Sequence, residues 1–132
     1  MTAEAHRRLP RIAILADDLI WATRLADGVR RAGGDPVPAR SAAALPAALD
    51  GARGCLVDLT ARAYDGPAAL RVAADAGVPT VAVGQHDDAD ARRAAKAAGA
   101  ARVFAYRTLF EHGDRELGDW IAGLAAGLEE ER

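Results

Sequence analysis

Arg11-Ile12-Ala13-Ile14-Leu15-Ala16-Asp17-Asp18, matched further along by Cys55-Leu56-Val57-Asp58, decides how this chain folds. Each stretch is a short unbroken apolar run that ends in carboxylates. Such runs read as strands buried on both faces, the kind found in parallel sheets. If the two strands are neighbours, Asp17, Asp18 and Asp58 emerge at one carboxyl edge of the sheet. In open α/β sheets that edge is where ligands bind. Three like charges gathered there favour a counter-cation. Oxygen-only ligation suits Mg²⁺, which takes one or two carboxylates and keeps several waters.

Working outward from these runs, the hydrophobic period switches repeatedly between strand and helix. After Arg11–Ala16 as the first strand, Ala22, Leu25, Ala26 and Val29 recur at helical spacing, and Gly33-Gly34 can end that helix in the left-handed conformation. Residues 35–40 form a poorer strand whose Pro36 and Pro38 predict an edge position. Ser41 is a good N-cap for a helix over 42–49, which Pro46 shortens or kinks. Gly54–Val57 is the third strand, and Asp65-Gly66-Pro67 punctuates the chain before a helix over 68–76. Thr80–Val83 is the fourth strand. Asp87 or Asp88 caps the next helix and Gly99 closes it. Residues 102–105 form the fifth strand. A last helix over 115–128 carries Leu117, Trp120, Ile121, Leu124 and Leu128 on one face. Strand and helix repeated five times predict a parallel sheet with helices on both faces, since such crossovers are right-handed. On this reading residues 1–10 are a flexible arm, 11–127 the folded domain and 128–132 a charged tail.

The bulk composition narrows the function. At 132 residues, with 51% hydrophobic and 27% charged residues, the chain suits one domain with a single core. A net charge of −2 shows no electrostatic footprint for nucleic acid. Cys55 is the one cysteine, so no intrachain disulfide forms, and its place inside a strand reads as a buried, inert thiol. No apolar stretch reaches the ~18 residues that a membrane helix needs. A soluble cytoplasmic protein is the expectation. Gly-x-Gly-x-x-Gly, Walker, His-Glu-x-x-His and Gly-x-Ser-x-Gly motifs are absent from the sequence, which argues against nucleotide binding and nucleophilic hydrolysis.

Five features in order resemble the receiver domain of bacterial response regulators, over about residues 11–127. They are Ile14-Leu15-Ala16-Asp17-Asp18, Leu56-Val57-Asp58, the Asp65-Gly66 turn, Val78-Pro79-Thr80-Val81-Ala82-Val83 and Ala97-Ala98-Gly99-Ala100. The resemblance implies a flavodoxin-like, three-layer fold with strand order 2-1-3-4-5. It implies that Asp58 accepts a phosphoryl group with Mg²⁺, the ion being held by Asp18, Asp58 and the backbone carbonyl near Thr60, with Asp17 acting through water. Thr60 and His86 would then border the phosphoryl site.

Two positions depart from the family pattern. Its Ser or Thr after the fourth strand falls on Gly84. Its Lys after the fifth falls on Tyr106 by direct count from Gly99, or on Arg107 if one residue is inserted. The insertion restores a cation and puts Phe104 at the switch aromatic, and is preferred; the family's cis proline is missing in either case. Without a hydroxyl at Gly84 the usual coupling to an aromatic cannot run. The chain therefore reads as an atypical or pseudo-receiver, stand-alone, working by contact with another protein, either a kinase or an output partner. Phe104, Tyr106, Phe110 and Trp120 are candidates for a homodimer contact. The alternative is a small Mg²⁺-dependent phosphotransfer or hydrolase enzyme on the same kind of fold.

Overall fold

The computed structural model describes residues 9–85, 87–111 and 114–130, with the side chains of 114 and 127–130 left aside. Five parallel strands form one sheet: β1 (Arg11–Leu15), β2 (Asp35–Ala39), β3 (Gly54–Asp58), β4 (Thr80–Gly84) and β5 (Val103–Ala105). Their order is β2-β1-β3-β4-β5, and all pairs run parallel. The helices are α1 (Leu19–Arg31), α2 (Leu45–Leu49), α3 (Gly66–Asp75), α4 (Ala89–Ala97), α5 (Tyr106–Glu111) and α6 (Asp114–Glu130). This is the flavodoxin-like architecture with the expected strand order.

The alternation along each strand divides the core in two. Ala13, Leu15, Cys55, Val57 and Ala82 face one side, with residues of α2, α3 and α4. That layer is rich in alanine. Ile12, Ile14, Leu56, Val81, Val83 and Phe104 face the other side, with Leu25 and Val29 of α1, Leu109 of α5, and Leu117 and Ile121 of α6. Burial on both faces explains why the strand sequences are unbroken apolar runs.

Local signals set most of the ends. Ser41, Asp65 and Asp88 each accept a hydrogen bond from the amide three residues on, at 3.2, 3.1 and 3.0 Å. Gly33, at φ 95°, takes the chain out of α1. Pro46 falls in the first turn of α2, where its missing N–H costs nothing, and a 3₁₀ turn over Ala42–Ala44 precedes it.

Some boundaries differ from expectation. Pro10, assigned to the arm, is buried, and its carbonyl accepts the Asp35 N–H at 2.8 Å, which continues the β1–β2 ladder. Residues 1–8 of that arm lie outside the described residues. A short helix, α5, follows β5 directly where only a connection was expected, and α6 runs on to Glu130.

Candidate functional site

Register places the acidic residues together at the carboxyl edge. Leu15 pairs with Val57, and Asp58 with Val83, so the chain leaves β1 and β3 side by side. Beyond that edge each carboxylate is engaged by protein donors. Asp18 Oδ1 accepts the Trp21 N–H at 3.0 Å and is the N-cap of α1. Asp17 Oδ2 accepts the N–H groups of Arg62 and Ala63, at 3.2 and 3.0 Å, which ties the β3–α3 loop to the end of β1. Arg40 Nη2 donates to the Asp17 carbonyl at 2.9 Å.

Asp58 is 1% exposed. Its Oδ1 accepts the Thr60 N–H at 2.9 Å, the Thr60 hydroxyl at 2.8 Å and the Tyr106 hydroxyl. Three donors on one oxygen, offered to a charged group, offset the cost of burying the carboxylate. Its Oδ2 is buried with no hydrogen-bond partner among the described residues. The Tyr64 hydroxyl spans the tips of the two strands, within bonding distance of Leu15 O at 3.0 Å and Asp58 O at 2.6 Å.

Aromatic rings cover this carboxylate. The Tyr106 and Trp21 ring centroids lie 4.3 Å apart, and Phe110 lies 5.3 Å from Trp21 and 6.2 Å from Tyr106. The Arg24 guanidinium sits over Trp21 and Phe110, at 5.4 and 5.7 Å. A cleft of about 360 Å³ above them is lined by Asp17, Asp18, Trp21, Thr60 and Arg62. Asp58 does not reach its wall. Burial first, and then the hydrogen bond to Asp58, holds the Tyr106 phenol well above its ordinary range, against a smaller opposing effect of Thr60. Tyr106 is therefore a neutral donor here.

The two departures from the family pattern resolve in this geometry. Tyr106, not Arg107, lies against Asp58. The preferred insertion is thus corrected: Arg107 is exposed and pairs with Glu111 at 3.2 Å, one turn along α5. Gly84 ends β4, and a Cβ placed there would meet Leu59 Cδ1 at 3.3 Å. Leu59 has taken the space that a hydroxyl side chain would need. Phe104 and Tyr106 are buried, at 2% and 6% exposure, which removes them as homodimer contacts. Phe110 and Trp120 are partly buried and packed against the core. His86 lies outside the described residues.

The magnesium set implied by the resemblance has two carboxylates, Asp18 and Asp58, with a backbone carbonyl and Asp17 through water; in the structure one oxygen of each aspartate already accepts a protein donor. Among the described residues no group of three or more His, Cys, Asp or Glu side chains is placed to hold a metal. The loop turns N–H groups of Thr60, Arg62 and Ala63 toward the carboxylates, where a cation would need oxygens.

Sequence reading missed Tyr64 and Leu59. Direct counting from Gly99 was the signal that pointed to Tyr106.

Neither protein-family models nor curated proteins give a match to this chain. Solved structures do. A CheY-like response regulator receiver domain protein from Methanospirillum hungatei JF-1 is 20% identical, with TM-score 0.73, over 94% of this chain and 99% of that one. A response regulator receiver domain protein from Clostridium thermocellum is 14% identical, with TM-score 0.76, over 94% and 100%. A protein described as pilus assembly-related, from Burkholderia pseudomallei K96243, is 21% identical, with TM-score 0.71, over 90% and 91%. The fold is that of response regulator receiver domains. No helix of the described residues is long and apolar enough to cross a membrane.

Proposed function

We propose that this chain is a receiver-type signalling domain that acts by contact with another protein, and that its state is not set by phosphate on Asp58. The observation that carries this reading is the enclosure of Asp58. The carboxylate is 1% exposed, and Oδ1 already accepts three protein donors. Phosphoryl transfer needs an in-line approach to an oxygen, with positive charge around the transferring group. Here a neutral phenol lies against Asp58, and the side chain of Leu59 lies against Gly84. The Trp21 ring packs outside the phenol.

Contact with a partner then carries the signal. Leu19 and Ile20, in the first turn of α1 beside the cleft, are 63% and 65% exposed. Consecutive exposed aliphatic side chains next to a polar cleft are a fitting protein-contact surface.

The test is intact-protein mass after incubation with a small acyl-phosphate donor and Mg²⁺, beside an Asp58→Ala control. The expected result is no added phosphoryl group on either chain. One phosphoryl group on the native chain, absent from the control, would overturn the reading and make Asp58 a working acceptor.

A further inference from the structure

The carboxyl edge carries three aspartates whose sequence positions call for a divalent cation, yet the chain surrounds them with its own donors. Asp17 Oδ2 accepts two amides of the β3–α3 loop, at 3.2 and 3.0 Å. Asp18 Oδ1 accepts the Trp21 amide at 3.0 Å, which commits it to the first turn of α1. Asp58 Oδ1 accepts an amide and two hydroxyls. Each of these bonds commits one oxygen of its carboxylate to the protein, while Asp58 Oδ2 is buried with no partner among the described residues. Arg62 lines the same cleft as Asp17 and Asp18.

A bound Mg²⁺ demands near-octahedral oxygens at about 2.1 Å, usually one or two carboxylates with several waters. The loop offers the reverse polarity. Its Thr60, Arg62 and Ala63 amides direct the positive ends of their dipoles at the acidic residues. The adjacent Arg62 and Ala63 amides converge on Asp17, an arrangement of N–H groups suited to an anion.

We propose that the β3–α3 loop and the first turn of α1 replace a metal ion at this edge: the Arg62 and Ala63 amides hold Asp17, the Trp21 amide holds Asp18, and Thr60 with the Tyr106 hydroxyl holds Asp58, in a site that takes no divalent cation. The acidic pair is then a structural anchor for the loop. This inference does not rest on the reading of Asp58 given above, because a chain could bind Mg²⁺ and still refuse a phosphoryl group.

The test follows the amide resonances of residues 17–21 and 58–63 in ¹⁵N-labelled full-length chain during MgCl₂ titration at constant ionic strength. A site with a dissociation constant of about 1 mM would be about 95% filled at about 20 mM, and would raise the folded-to-unfolded ratio about 21-fold. The expected result is no saturable shift and an unchanged melting temperature. Saturable shifts centred on Asp17, Asp18 and Asp58 would overturn the proposal. The anchor role has its own readout. In Asp17→Ala, with chelator present, exchange of the Arg62 and Ala63 amides should quicken about tenfold, the change expected for loss of a bond of about 1.4 kcal/mol. Unchanged exchange in Asp17→Ala would also overturn it. The shape-conserving Asp17→Asn keeps an acceptor oxygen and should retain most of the protection. Added mass from the acyl-phosphate donor, without saturable Mg²⁺ shifts, would remove the earlier reading and leave this one standing.

Discussion

Tyr106→Phe removes one hydroxyl and leaves the ring where it was. The phenol is 6% exposed, and its oxygen donates to Asp58 Oδ1 while lying 3.2 Å from the Thr60 hydroxyl. A hydrogen bond to a charged group contributes about 1.5–3 kcal/mol. Asp58 keeps the Thr60 amide and hydroxyl, at 2.9 and 2.8 Å, so the carboxylate is not orphaned and the lower end applies. The stacking on Trp21 and Phe110 is retained, since Phe presents the same ring. The expected loss is about 1.5 kcal/mol, or about 6 °C in melting temperature for a chain of this size. Urea unfolding should show a lower midpoint at an unchanged slope, because the buried surface is the same. Combining the change with Asp58→Ala completes a double-mutant cycle, in which about 1 kcal/mol or more of coupling is expected between contacting residues. A loss under about 0.5 kcal/mol, or a coupling indistinguishable from zero, would refute the placement of Tyr106 against Asp58. An equal loss in Arg107→Ala would refute it too, since that side chain is exposed and pairs with Glu111 along its own helix.

Other expectations follow from neighbouring contacts. Gly84→Thr would press its Cβ on Leu59 Cδ1 at 3.3 Å and should cost about 1–3 kcal/mol in chemical denaturation, with Leu59→Ala in the same chain recovering part of it. Gly54→Ala would drive its Cβ to 2.7 Å from Leu124 Cδ1 and 2.9 Å from Trp120 Cη2, so about 1–3 kcal/mol should be lost, with a shift in tryptophan emission as α6 moves outward. Asp18→Ala removes the cap of α1 and should lower stability by about 1 kcal/mol, in chelator and in Mg²⁺ alike. Alkaline pH should destabilise the chain. Burial raises Cys55 from 9.0 to about 12, and burial foremost raises Tyr64 and Tyr106 above 10.0. The folded state therefore holds these protons more tightly. Stability is full below pH 9 and falls as pH climbs through the unfolded values, first for Cys55 and then for the tyrosines, at about 1.4 kcal/mol per pH unit for each group. Urea midpoints across that range should show the tyrosine part of the slope reduced in Tyr106→Phe.

The architecture could be read from the chain because its signals are local. Apolar runs at Ile12–Leu15 and Cys55–Val57 identify doubly buried strands with no reference to any neighbour. Ser41, Asp65 and Asp88 announce helix starts through bonds to amides three residues on. Strand and helix periods alternate through five units, and the handedness of crossovers then leaves few topologies. The meeting of Asp17, Asp18 and Asp58 at one edge followed from that topology alone. What each carboxylate does there did not follow, because it depends on contacts distant in sequence. Asp17 meets amides 45 and 46 residues away, and Asp58 meets a phenol 48 residues away. Charge favoured Arg107 for that place, but α5 begins directly after β5, and successive helical residues point about 100° apart. Once Tyr106 turns inward to Asp58, Arg107 must turn toward Glu111. Gly84 by itself shows that a hydroxyl is gone, and the packing of β3 against β4 brings Leu59 into its space. The chain's period and punctuation thus determined the sheet, its order and its acidic edge, whereas tertiary packing decided which donors satisfy that edge, since a buried charge takes whatever partners the fold carries to it.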